Sequence, residues 1–271
     1  MCLHHISRKN QLLADKIVHA NSDIMYSGIV AGNNNGNVWV DNISNPAFCM
    51  VWSEYLEGFH FMGSRCNHIN KLELQAFIED TIIPFLSAKG ISCFEFSCDF
   101  RNWMPIICEM LPKFEIKKNK QHVYRLANKN NINTGLTLPG GYELLSLASD
   151  SVAKTENYEI IKIDLEKAWG NINNFLRFGK GFAAIKNNQI CSFTSTHFLY
   201  NNIFSFGTET YYPHKKKGLS GFLSVTLLNS IINQGADIWW DCMESNIASQ
   251  KTAQKVGLTF DHEYEVGWFK L

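Results

Sequence analysis

The sequence lacks net charge, with 25 Lys and Arg against 25 Asp and Glu in 271 residues. A general nucleic-acid binder carries a basic domain, so that class is set aside. No apolar run approaches the ~18–20 residues of a membrane span, and no membrane partner is expected. The first ten residues lack the apolar core and the small-residue cleavage site of a signal peptide. No C-x-x-C pair occurs among the eight cysteines, Cys2, Cys49, Cys66, Cys93, Cys98, Cys108, Cys191 and Cys242, which speaks against a zinc ribbon. Several lie in apolar stretches, such as Cys93 in ISCFEF, so we expect reduced, core-filling thiols and a cytoplasmic protein. No phosphate loop of the GxxxxGK[ST] type and no GxGxxG at a first strand–helix turn is found. Short internal repeats are absent. No metal is expected; His4 and His5 sit at a terminus.

What is present is an ordinary globular composition, 45% apolar, which excludes global disorder. A chain of this length buries about three quarters of its unfolded surface and needs no staples. Two domains follow from a size of about 150 residues each. The polar, turn-rich stretch 128–140 supplies the boundary, giving domains 1–130 and 131–271. No Gly/Ser linker intervenes, so the halves are expected to pack.

Residues 1–30 read as helical. Strand-like runs follow at 38–40, 47–52 and 58–63, then an amphipathic helix at 70–88, a strand at 91–98 and a helix at 101–111. Residues 113–125 read as a charged hairpin. The second half gives a strand at 141–147, a short helix or turn at 149–156 and a helix around 165–178. A three-stranded antiparallel meander with two polar turns then covers 182–212. An apolar helix from 222, a buried strand at 236–242 and a helix at 245–257 closed by Gly257 come next, before one or two final strands.

The informative segment is 208–222. A strand ends at Tyr212-Pro213, a basic glycine turn follows, and a helix starts almost at once. Unpaired N–H groups at such a start, with the positive end of the helix dipole, favour an anion. Gly218 and Gly221 remove side chains where a phosphate approaches. Lys215, Lys216 and Lys217 add positive charge. A phosphorylated cofactor and a solvated basic turn are equally compatible with these residues alone.

The segment resembles the acyl-CoA signature of the GNAT N-acetyltransferase superfamily, [Q/R]-x-x-G-x-[G/A]. Here it reads Lys215, Lys216, Lys217, Gly218, Leu219, Ser220, with Lys first and Ser last in place of the usual types. Asn246 to Ser249 and Lys255 to Leu258 match the family's later N-x-x-[A/S] and K-x-G-[F/L] at family spacing. The segments 36–52, 58–63, 179–185, 208–210 and 239–249 look more narrowly like the zwittermicin A resistance-like GNAT family. The resemblance implies an α/β (α+β) protein. Its C-terminal GNAT fold has a mixed, mostly antiparallel sheet flanked by helices and packs on an N-terminal α/β domain, a degenerate GNAT-like half.

The same resemblance implies acetyl transfer from acetyl-CoA directly to a primary amine of a small molecule, such as an aminopolyol antibiotic, by a monomer or homodimer. The loop amides from Lys216 to Gly221 would hold the pyrophosphate. The backbone of Glu209, Thr210 and Tyr211 would pair with pantetheine as an added strand, and Asn246 would face its arm. Glu209 is the candidate base, directly or through water, with substrate binding or a lysine partner as the structural alternative. Many members carry a tyrosine acid seven residues after the motif Asn; Ala253 stands there, so Ser249 or a water is the substitute, or the thiolate leaves unassisted. His197 and His214 are expected to be structural, and Cys242 is not expected to carry an acyl group. Two other classes compete: a catalytically impaired acyl-CoA-binding module, favoured by Ala253, and a basic-turn protein that contacts phosphorylated partners or RNA.

Overall fold

The computed structural model describes residues 3–19, 22–63 and 70–271. The chain forms two compact units, Met1–Gln121 with Glu263–Leu271, and His122–His262. The sequence places one cut at 130/131. The second cut arises because the last strand leaves the second unit and returns to the first, a pairing between distant parts of the chain.

In the first unit β1 (His4–Ile6) and a 3-10 helix (Arg8–Ile17) precede α1 (Ile24–Val30). The continuous helix expected over 1–30 is therefore broken. Asp23 starts α1 by accepting a hydrogen bond from the Met25 amide. The antiparallel strands β2 (Gly36–Val40), β3 (Phe48–Ser53) and β4 (Gly58–Gly63) fall where the apolar runs place them. Next come α2 (Lys71–Phe77), a π-helical turn at Ile78–Ile82, α3 (Ile83–Ala88), β5 (Cys93–Cys98) and α4 (Trp103–Met110). Strand β5 lies parallel to β4. The core is aromatic: Trp52, Phe59, Phe61, Phe94, Phe96 and Phe269 are buried together.

The β4–β5 ladder runs through Phe59–Phe96, His60–Ser97 and Phe61–Cys98, to the end of β5. There it is clasped. The Asp99 N–H donates to the Phe61 carbonyl at 3.0 Å, and the Asp99 carboxylate accepts from the Gly63 N–H at 3.1 Å. His60 lies 3.0 Å from Asp99 through Nε2 and 2.7 Å from the Ser97 hydroxyl through Nδ1. Burial alone raises the Asp99 carboxyl, but the hydrogen bonds of His60 and Gly63 and the charge of His19 outweigh it and hold it below the usual range.

Strand β6 (Lys117–Arg125) straddles the division between units; it is a single strand where a hairpin was expected. The second unit continues with β7 (Glu143–Ser146), α5 (Tyr158–Trp169), α6 (Ile172–Phe178), β8 (Gly181–Lys186), β9 (Gln189–Tyr200) and β10 (Ile203–Thr210). It ends with α7 (Leu219–Ile232), β11 (Asp237–Met243) and α8 (Ile247–Val256). Strand β12 (Thr259–Lys270) closes the chain and pairs antiparallel with β5 over Gly267–Lys270. Strands β7 to β10 are antiparallel neighbours in order, and β11 joins β10 in parallel. The two units therefore share one succession: three antiparallel strands, a helical segment, and a strand parallel to the third. The six described cysteines are free; Cys2 and Cys66 lie outside the described residues.

Candidate active site

The site begins with a miscount in the meander. Ser205 faces Phe198 and Phe206 faces Thr196, so His197 is a surplus residue in β9. Such a bulge bends and twists the strands at that point. There the β10–β11 ladder stops. Its pairs are Ile203–Asp237, Phe204–Ile238 and Ser205–Trp239, while β10 runs on to Thr210 and β11 to Met243. The two strands part as a fork, and Phe206 and Trp240 meet at its root, edge to face with centroids 5.0 Å apart.

Side-chain bonds show which backbone groups face the fork. The carbonyls of Gly207 and Glu209 accept from Thr194 and Ser192 hydroxyls, and the Tyr211 N–H donates to Cys191. The backbone groups of 207, 209 and 211 thus turn to β9, and alternation turns those of Thr208 and Thr210 to the fork, while both threonine hydroxyls bond back to β9. Within the stretch Glu209–Tyr211 expected to meet pantetheine, the Glu209 carbonyl and the Tyr211 N–H are engaged with β9.

Beyond β10 the loop curls through left-handed residues at Lys216 (φ 62°) and Gly218 (φ 84°). Alternation of this kind makes successive N–H groups converge into an anion-binding concavity. Gly218 is the residue preceding α7, and no side chain caps that helix. The amides of Leu219, Ser220 and Gly221 begin the helix, with the dipole behind them. Nothing lies within 4 Å of a Cβ placed on Gly218, whereas one on Gly221 would meet Leu136 at 3.3 Å and Lys255 at 4.0 Å. Gly221 therefore also serves packing, and it places Lys255 of α8 beside the loop. Lys215, Lys216 and Lys217 are exposed. His214 fixes the loop by a 2.7 Å bond to the Tyr142 hydroxyl. Its burial and the charges of Lys217 and Lys186 lower its proton affinity.

The Glu209 side chain points to the face covered by α5. It lines a cleft of about 170 Å³ with Ile160, Ile163, Asp164, Phe193 and Tyr211. Burial, then the charge of Glu209, raises the Asp164 carboxyl, while Lys167 opposes. Burial and the same two carboxylates raise the Tyr211 hydroxyl.

Asn246 and Ser249 lie at the start of α8. The Asn246 side chain caps the helix by accepting from the Ser249 N–H at 3.1 Å. The Ser249 hydroxyl accepts from the Trp240 indole at 3.0 Å. Ser249 is thus tied to the root of the fork, and Ala253 is fully buried. Burial pushes the Cys242 thiol up, the wrong direction for a nucleophile. Burial brings His197 down to about 3, so it is neutral in the ordinary pH range. Among the described residues no cluster of His, Cys, Asp or Glu is suited to a metal, and no helix is long and apolar enough to cross a membrane.

The model of the GNAT acetyltransferase family matches residues 14–266. The chain belongs to the GNAT acetyltransferase family. It is an acyltransferase, and its acyl donor is acetyl-CoA. A GCN5-related N-acetyltransferase-like protein from Streptococcus suis is similar in structure, with a TM-score of 0.68 at 14% identity over 97% of this chain and 99% of that one. A tandem GNAT protein from the clavulanic acid biosynthesis pathway gives 0.60 at 8% identity over 99% and 98%. A GCN5-related N-acetyltransferase from Sphaerobacter thermophilus gives 0.60 at 8% over 99% and 95%. No curated protein matches the chain. Sequence reasoning missed Asp164; it placed Thr208 in the informative segment without a role at the fork, and took Lys255 only as part of the K-x-G-[F/L] match, a local mark that does not show its place beside the loop. Strand parity could have given Thr208 its role; nothing local marks Asp164.

The GNAT donor fits what this chain offers: an uncapped helix start behind a loop of left-handed residues, and a forked pair of strands.

Proposed function

We propose that the second unit transfers the acetyl group of acetyl-CoA to a primary amine of a small molecule. The observation that carries this is the parting of β10 and β11 beyond Ser205–Trp239, next to the uncapped start of α7. When bound, acetyl-CoA supplies an activated acyl thioester. The amides at 216–221, with Lys215, Lys216 and Lys217, hold its diphosphate. Thr208 and Thr210 offer an open strand edge to the pantetheine arm. An amide of that edge polarises the thioester carbonyl. Glu209 would take the proton that the ammonium must lose before its lone pair attacks; the new C–N bond would replace the C–S bond, and the nitrogen's second proton would pass to the departing thiolate. Ser249, whose hydroxyl accepts from the Trp240 indole at the fork root, would assist that departure. A free thiol has a pKa near 8.5, so the assistance needed is small.

The narrower kinship with zwittermicin A resistance-like enzymes and a role in antibiotic resistance belong to this proposal; that kinship implies an aminopolyol acceptor, against which the apolar lining of the Glu209 cleft stands. Cytoplasmic residence and a monomeric or homodimeric state belong to the proposal too. The test is release of free thiol from acetyl-CoA across a broad amine panel. Thiol release is expected with the wild type. Glu209→Gln is expected to bind CoA equally and to turn over about 10²–10⁴-fold more slowly, most clearly below the pKa of the amine. CoA binding without thiol release for any amine would instead mark a catalytically impaired acyl-CoA module.

A further inference from the structure

Glu209 does not stand alone on its face of the sheet. The α5 residues Ile160, Ile163, Asp164 and Lys167 recur at helical spacing along one side and form one wall of its cleft. The opposite wall is Phe193, Glu209 and Tyr211. Two features give the cleft its character. The first is charge: burial and then the Glu209 carboxylate raise the cost of ionising Asp164, and among the described residues of the lining Lys167 is the one cation. A cation placed between Asp164 and Glu209 relieves that repulsion. The second is an apolar surface left open. Ile160 is 63% exposed and Ile163 57% exposed. A carbon chain laid on them gains burial energy, whereas a hydroxyl-rich chain finds no hydrogen-bond partner on isoleucine or phenylalanine. The volume of about 170 Å³ holds an ammonium and a short carbon segment.

Given acetyl transfer at the fork, as proposed above, we infer that this cleft is the acceptor pocket and that it selects a primary ammonium borne on an apolar carbon segment. The ammonium sits between Asp164 and Glu209, and the adjoining carbons lie on Ile160 and Ile163. Glu209 belongs to β10 beyond the point where the ladder opens, so an amine held there adjoins the fork. Asp164 binds and positions the ammonium; Glu209 removes its proton.

The test pairs kinetics with direct binding. Thiol release is measured with straight-chain monoamines from ethylamine to hexylamine and with aminopolyols, and hexylamine binding to the protein without acetyl-CoA is measured by calorimetry. We expect kcat/KM to rise about fourfold per added CH₂ and aminopolyols to be poorer substrates. Asp164→Asn should raise the KM for amines about tenfold or more, weaken hexylamine binding equally, and leave the KM for acetyl-CoA unchanged. Asp164 is near the surface and Asn has its shape, so the fold should survive; an unchanged melting temperature checks this. Ile163→Ser should flatten the chain-length dependence. Aminopolyols outperforming hexylamine, or amine KM and binding indifferent to Asp164→Asn, would overturn the pocket assignment while transfer itself stood. Hexylamine binding lost in Asp164→Asn, with no thiol released by any amine, would keep the pocket and remove the transfer reading.

Discussion

At position 197 a histidine fills the surplus place in β9, 7% exposed and 3.0 Å from the Ser195 hydroxyl. Burial brings its pKa from 6.5 down to about 3. Between those values the unfolded chain accepts a proton at this site that the folded chain refuses. Stability from this group is therefore complete above about pH 6.5 and drains away as the pH falls toward about 3, by roughly 4–5 kcal/mol at the acid end. Melting temperatures of wild type and His197→Gln, followed from pH 7 to pH 4, should converge as the pH falls; parallel curves would show that the imidazole titrates normally. Residue chemistry was partly legible in the sequence. His197 and His214 were expected to be structural, and each bonds a hydroxyl, that of Ser195 and that of Tyr142. Asn246 and Ser249 lie where the motif spacing puts them, yet their hydrogen bonds are those of a helix cap and an indole partner, which no spacing reveals. Asp164 carried no signal, because what marks it is a carboxylate on another element.

Elements were more legible than residues where apolar period and turn chemistry agree, as in the meander β8–β10 and the strands β2–β4. They were less so where the pattern is mixed. Helix α5 starts at Tyr158, ahead of the expected 165; the β-branched run Ile160, Ile161, Ile163 weakens the helical signal, and the cleft built on it stayed hidden. The hairpin expected at 113–125 is one strand because pairing, not a local turn, decides its shape. The loop between β10 and α7 has a testable conformation. Gly218 sits at φ 84° with open space around its Cβ position, so Gly218→Ala carries a backbone cost of ~1–2 kcal/mol and little else. That variant should melt a few degrees lower and still bind CoA. Gly218→Glu carries the same backbone cost and sets a carboxylate where the diphosphate belongs, so CoA binding should vanish in calorimetry. Loss of binding in both, or in neither, would count against the loop as the anion site.

For the whole molecule, the shared succession of strands and helices poses the question of how many cofactors each chain binds. The first unit's β4–β5 ladder is paired to the end of β5 and clasped by Asp99, His60 and Ser97, while the second unit's ladder opens. One CoA per chain is therefore the expected stoichiometry, and none in Gly218→Glu. A calorimetric ratio near two in the wild type that falls to one in Gly218→Glu would place a second site in the first unit. The family and the mixed α/β architecture were readable from short motifs in order. The return of the last strand to β5 was not, since it pairs distant segments and leaves no local mark. One consequence concerns insertion and deletion. Removing His197 alone would restore equal counting in the meander, let β10 lie straight, and allow its outer edge to zip against β11, as the first unit's strands already do. Activity would then be lost by closure of the sheet with every catalytic side chain still in the chain.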